Sequence, residues 1–154
     1  MTDDARPFDP PADLIAVAGR VTAAWVRRAI TRAAAAGGVA SDDWSDLEPV
    51  AAATATAILQ RLRDLLDTDV DDQRTNPLSI YRTGLGPATD LLRRHGVPEP
   101  AGDRFTIERL ADDPYQLGPA AWTDIDPDLQ TPGLVWGAWK AKTILDRRRA
   151  EGRR

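Results

Sequence analysis

Cysteine is absent from this sequence of 154 residues. The absence excludes disulfide bonds, thiolate metal sites, iron–sulfur clusters and cysteine nucleophiles. Histidine occurs once, as His95, in a predicted last helical turn beside two arginines, which argues against a catalytic triad. Motifs for a nucleophile elbow, a phosphate-binding loop, a dinucleotide fingerprint and a helical zinc-protease site are also missing. We therefore predict no cofactor and no metal, and a protein that is more naturally a binder than an enzyme.

Long apolar runs are absent as well. No run approaches the roughly 20 residues that span a bilayer. The N-terminus is acidic at Asp3 and Asp4, unlike a secretory signal peptide. The formal net charge is -4, and residues 78–154 are nearly neutral, with 11 acidic and 12 basic groups. We expect a soluble, cytoplasmic protein without a general electrostatic attraction to nucleic acid.

Helical periodicity is the main structural signal, and it predicts an all-α fold. Apolar residues recur at helical spacing from a cap near Asp9 to Gly37-Gly38, and from a Ser45–Glu48 capping box to an acidic run at residues 67–72. A third helix is predicted from Pro77 to His95. Because Gly84-Leu85-Gly86-Pro87 interrupts it, it is either one kinked helix or two short ones.

The remainder of the chain is predicted as a proline-rich segment with short helices near residues 106–110, 119–123 and 127–130, followed by a terminal helix that begins at Thr131-Pro132. We divide the chain into a flexible arm at residues 1–11, a single helical domain at 12–146 and a basic tail at 147–154. The domain is expected to close as a bundle or as an orthogonal arrangement.

Aromatic residues cluster in residues 85–139, and they are the candidates for a protein interface: Tyr115, Trp122, Trp136 and Trp139. The alternative is that they form the core. One face of the terminal helix carries Leu134, Gly137, Ala138, Ala141, Ile144 and Leu145. Its small residues would suit close contact with a neighbouring helix of the same chain or with a dimer mate.

Charged residues supply two competing hypotheses. Small basic clusters occur at Arg27, Arg28, Arg93, Arg94 and Arg147, and together they would make a nucleic-acid surface. Acidic residues at Asp112, Asp113, Asp124, Asp126 and Asp128 would suit a metal-dependent hydrolase, although Asp before Pro is also ordinary turn chemistry. The acidic run at 67–72 fails as a calcium loop, because the required glycine and glutamate are absent.

The C-terminal half resembles a group of small, uncharacterised actinobacterial proteins. The resemblance covers residues 76–148 and rests on short motifs: Gly96-Val97-Pro98, Asp112-Asp113-Pro114-Tyr115, Asp124-Ile125-Asp126-Pro127 and Pro132-Gly133-Leu134-Val135-Trp136-Gly137-Ala138-Trp139. It implies no activity, cofactor or partner. The sequence as a whole predicts a non-catalytic interaction module, a homodimer or a small subunit of an assembly. The alternatives are an accessory DNA- or RNA-binding protein and, third, a hydrolase built on the segment 112–128.

Overall fold

Helices account for the regular structure throughout the described part of the chain. The structure is a computed structural model, and it describes residues 10–69, 77–98, 122–124 and 126–152. The helices are α1 (Pro10–Ala36), α2 (Leu47–Asp69), α3 (Pro77–Gly84), α4 (Gly86–Arg94) and α5 (Gln130–Gly152), with a 3₁₀ turn at Pro127–Leu129 before α5. These residues contain no strand, and the predicted all-α class is confirmed. Residues 1–9, most of the predicted arm, lie outside the described residues, as does the predicted helix at 106–110.

Helix α1 organises the bundle, since it packs against α2, α4 and α5. Its buried positions recur every three or four residues, as the periodicity predicts: Ala18, Thr22, Trp25, Val26, Ala29, Ile30, Ala33 and Ala34. The helix ends in a Schellman motif. Gly38 has a φ of 76°, and the Val39 N–H donates to the Ala34 carbonyl at 2.9 Å. The predicted glycine stop is therefore confirmed.

The region of α3 and α4 forms two short helices, which decides between the two predicted alternatives. Leu85 separates them, and Pro87 lies in the first turn of α4, where a missing N–H costs nothing. Gly84 lies where a Cβ atom would be 2.4 Å from Cγ1 of Ile58, so α3 approaches α2 more closely than a larger residue would allow. A second Schellman motif at Gly96, with a φ of 75°, ends α4.

The start of α2 differs from the prediction. The helix begins at Leu47, so Asp46 rather than Ser45 directly precedes it. The predicted capping box requires the Glu48 side chain to accept a hydrogen bond from the backbone N–H of the cap residue. Glu48 pairs with another helix instead, since its Oε1 lies 2.6 Å from Nε of Arg27 on α1. Tertiary ion pairs thus take the carboxylates that a local cap would use.

The end of α5 also differs from the expectation. The helix continues to Gly152, so Arg147, Arg148 and Arg149 lie on its last turns and not on a separate segment. Cations in the last turn of a helix interact favourably with its dipole, which supports this extension. The start is close to the prediction, since α5 begins at Gln130, directly after the 3₁₀ turn, and Thr131-Pro132 lies in its first turn.

An aromatic cluster joins the helices at the centre of the core. The ring of Tyr81 on α3 meets Trp25 of α1 edge-on at 5.0 Å and Trp122 edge-on at 5.4 Å. The Tyr81 hydroxyl lies 2.9 Å from the hydroxyl of Thr22, and both residues are buried. Burial raises the pKa of Tyr81 to about 12, because the phenolate would lose its hydration. Trp122 also fits against α5 at Gly133, where a Cβ would lie 2.9 Å from the indole.

Candidate interaction surface

The predicted interface tryptophans lie in the core. Trp122 is 0% exposed, Trp136 is 4% exposed and Trp139 is 7% exposed. Trp136 and Trp139 meet edge-on at 6.4 Å on the buried side of α5. Tyr115 lies outside the described residues. Trp122, Trp136 and Trp139 are therefore core residues, which is the alternative that the sequence left open. Their buried rings are not available to a partner. The indole N–H of Trp136 is buried without a hydrogen-bond partner.

The predicted basic residues are all engaged with other groups. Arg27 pairs with Glu48 at 2.6 Å, Arg28 with Asp128 at 3.4 Å and Arg93 with Asp90 at 3.3 Å. Arg94 lies 3.7 Å from Asp46. Arg147 also interacts with another group of the protein. A nucleic-acid phosphate would have to compete with these carboxylates, so the pairings do not favour the nucleic-acid alternative.

Two of the predicted acidic residues, Asp126 and Asp128, come together where α5 meets α1. Asp126 Oδ2 accepts from Nε1 of Trp25 at 3.1 Å and from Nη2 of Arg32 at 3.3 Å. Asp128 Oδ2 lies 3.0 Å from the same arginine nitrogen and 3.4 Å from Nε of Arg28. Asp126 also caps the 3₁₀ turn by accepting from the Asp128 N–H at 3.0 Å, which is the turn chemistry that the sequence predicts for Asp before Pro.

The partners of these two carboxylates are cations and N–H donors, which explains their position without a metal. Among the described residues no group of three His, Cys, Asp or Glu side chains is placed to hold a metal ion. Asp124 is exposed. Asp112 and Asp113 lie outside the described residues. These contacts give Asp126 and Asp128 a structural role, which is to fix the start of α5 to α1.

The single histidine lies in a second polar cluster, between α4 and the start of α2. His95 Nε2 is 2.8 Å from Asp46 Oδ1, and the Trp44 ring stacks on the imidazole with centroids 4.0 Å apart and planes 9° apart. His95 is the C-cap residue of α4. The hydrogen bond from His95 is the main cause that lowers the pKa of Asp46. The contacts of His95 with Asp46 and Trp44 therefore connect the end of α4 to the loop before α2.

The Asp46 pairing predicts a specific acid response. Because the pKa of Asp46 is lower in the folded chain than its ordinary value of 3.8, its ionised form favours folding. This contribution is present above pH 3.8 and is lost as the pH falls through the lowered pKa. We expect the unfolding free energy of the wild type to fall more steeply than that of Asp46→Asn between about pH 5 and pH 2. Urea denaturation at several pH values measures this.

A matched variant isolates the cause. His95→Phe keeps a ring on Trp44 but removes the hydrogen bond to Asp46, so its acid response is expected to resemble that of Asp46→Asn. Parallel pH curves for the wild type and both variants would contradict the assignment of the lowered pKa to His95.

The exposed side of α5 is the unusual surface of the molecule. Leu134 is 51% exposed and Leu145 is 49% exposed, and they are the large hydrophobic side chains that the described residues leave exposed. They are eleven residues apart, which is three helical turns, so they lie on the same side of the helix. Ala138 and Ala141 lie between them and are also exposed. We call these four residues the α5 seam.

The opposite side of α5 faces the core through Pro132, Gly133, Val135, Trp136 and Trp139. An ordinary surface helix carries polar residues on its solvent side. On α5 the centre of the solvent side is instead Leu, Ala, Ala and Leu, with Gly137 beside it and open space around Gly137. The sequence grouped these residues on one face correctly, but only the packing of the tryptophans determines that this face is the exposed one.

Comparison with known proteins adds nothing to this surface, since no protein-family model, curated protein or solved structure matches the chain. The resemblance of the C-terminal half to actinobacterial proteins stays a prediction. None of the helices in the described part of the chain combines the length and the apolarity that crossing a bilayer requires.

Proposed function

We propose that the protein is a non-catalytic interaction module that binds another protein through the α5 seam. One observation carries the proposal: the two exposed large hydrophobic side chains of the described residues, Leu134 and Leu145, lie on one line of one helix. Scattered apolar residues on a surface need no explanation, but an aligned set on the solvent side of a helix is the pattern of helix-mediated recognition.

The pairing of the charged side chains supports the non-catalytic part of the proposal. Asp126 and Asp128 are engaged with Arg28 and Arg32, and Asp46 is engaged with His95. An active site needs convergent groups that are free to meet a substrate. Among the described residues the convergent groups are committed to each other and tie helices together.

Site-specific photocrosslinking tests the proposal. A benzophenone amino acid at Ala138, in the centre of the seam, is expected to yield a discrete adduct in the native host. The same amino acid at Ala57, an exposed alanine of α2, is the matched control and is expected to yield none. The adduct should disappear when Leu134→Asp and Leu145→Asp are added, because charges on the seam oppose apolar contact.

Equal labelling from positions 138 and 57, or an adduct that survives both aspartates, would contradict a role of the seam in binding. The mass of the adduct also distinguishes the two kinds of partner, since a second copy of the chain and a different protein give different masses.

A further inference from the structure

We infer that the partner of the α5 seam is a second copy of this chain, whose α5 helix packs on the seam in the antiparallel direction. This inference rests on the proposed function and names the partner. Its first support is the order of residues in the seam. The sequence runs Leu134, Ala138, Ala141, Leu145, with spacings of four, three and four residues. Reversing the direction of the helix gives the same residues at the same spacings.

A surface that is unchanged by reversal suits an interface with two-fold symmetry, in which the same patch meets itself. In an antiparallel pair, Leu134 of one copy packs beside Leu145 of the other, and Ala138 packs beside Ala141. The spacing of four and three is that of the a and d positions of a coiled coil. The two central alanines permit the close approach of the two helix axes, at the lower end of the usual 8–10 Å range.

One flank of the seam carries Gly137 and Ile144, seven residues apart. Because the antiparallel register places position 134 beside 145, position 137 is level with position 142 of the other copy, two residues from Ile144. A Cβ atom at Gly137 would meet nothing within 4 Å, so the space above it is open. Ile144 is partly buried against the core of its own copy. The open space at Gly137 therefore leaves room for a neighbouring helix on this flank.

Charge selects the antiparallel direction. The C-terminal turns of α5 carry the exposed Arg148 and Arg149 against one acidic residue, Glu151, whereas the approach to its N-terminus carries Asp124, Asp126 and Asp128. An antiparallel pair places the arginine end of each copy beside the acidic end of the other. Arg28 and Arg32 balance two of the three carboxylates within a copy, which leaves the acidic end negative. A parallel pair would bring the two arginine ends together, which is unfavourable.

The size of the seam sets the strength of the pair. Three turns of one helix from each copy make an interface at the low end of the range for specific complexes, below about 1,200 Å². We therefore expect self-association with a dissociation constant on the order of micromolar, and an exchange between free and paired chains.

Cysteine pairing tests the orientation directly, because the chain has no cysteine of its own. Leu134→Cys and Leu145→Cys are made in two separate copies of the 154-residue chain that carry tags of different mass. The two positions are about 16 Å apart along the helix, far beyond the roughly 7 Å between Cα atoms that a disulfide tolerates. In the antiparallel pair, position 134 faces position 145 of the other copy and does not face itself.

Mild oxidation of the mixture is therefore expected to give the mixed 134–145 disulfide in at least about tenfold excess over either self-disulfide. Ala57→Cys, in the same mixture, is expected to form no dominant product. Self-disulfides in excess would overturn the antiparallel arrangement, and products in the statistical proportion of random collision would overturn specific self-pairing. If self-pairing fails while the photocrosslink at Ala138 still captures a different protein, the proposed function stands and only the identity of the partner is wrong.

Discussion

Replacing Trp122 with alanine is expected to lower the free energy of unfolding by about 3–5 kcal/mol. Trp122 is fully buried, meets Tyr81 edge-on and covers the backbone of α5 at Gly133. Its removal leaves a cavity between Tyr81 of α3 and Gly133 of α5 that the packed helices cannot fill. Urea denaturation followed by circular dichroism measures the loss.

Trp122→Phe and Leu134→Ala are the matched controls. The phenylalanine retains much of the buried ring and is expected to lose less than the alanine variant. Leu134 is half exposed, so its truncation should change the stability by well under the loss at Trp122. A Trp122→Ala variant within about 1 kcal/mol of the wild type would show that this ring does not hold α5 on the bundle.

Replacing Gly84 with alanine is expected to have the second largest effect, a loss of about 1–3 kcal/mol. The new methyl group would lie 2.4 Å from Cγ1 and 2.9 Å from Cδ1 of Ile58, which is completely buried and cannot move away freely. The better helix propensity of alanine offsets at most about 1 kcal/mol of this strain. Urea denaturation of the wild type and the variant measures the difference.

Gly86→Ala is the control, because a Cβ at Gly86 meets nothing within 4 Å and its φ is not positive. It is expected to be neutral or slightly stabilising. Ile58→Ala provides a second check, since it should cost less in the Gly84→Ala background than in the wild type. Equal costs of Gly84→Ala and Gly86→Ala would contradict the close packing of α3 on α2.

Much of this fold can be predicted from the sequence because its signals are local. Apolar spacing defines α1 and α2, and glycines that adopt a positive φ mark the ends of α1 and α4. The cap of α2 is missed because Glu48 pairs with Arg27, a contact that local rules do not contain. The extension of α5 to Gly152 is missed because a run of arginines has the composition of a solvated tail as well as of a helix end.

The polar clusters cannot be predicted from the sequence, because they join residues that are distant along the chain. Trp25 and Asp126 are 101 positions apart, and Asp46 and His95 are 49 positions apart. The sequence identifies the charged residues but not their pairing, so the same arginines suggest a nucleic-acid surface. The burial of Trp136 and Trp139 could not be predicted either, because aromatic residues are favoured both in protein cores and at interfaces.

The α5 seam lies between these cases. Helical spacing correctly collects Leu134, Ala138, Ala141 and Leu145 on one face, since this needs only 3.6 residues per turn. Whether that face is buried depends on the opposite face, where Val135, Trp136 and Trp139 take the core side. Burying the face with the tryptophans removes more apolar area from water, so this face packs on the core and the smaller apolar face is exposed to solvent.

Light scattering of the purified protein across a range of concentrations is the most direct test of the central claim that the α5 seam joins two copies. The wild type is expected to pass from the mass of one chain to the mass of two, with a midpoint on the order of micromolar. The Leu134→Asp/Leu145→Asp variant is expected to keep the mass of one chain with unchanged helix content. A wild type that keeps the mass of one chain up to about 1 mM would contradict the claim.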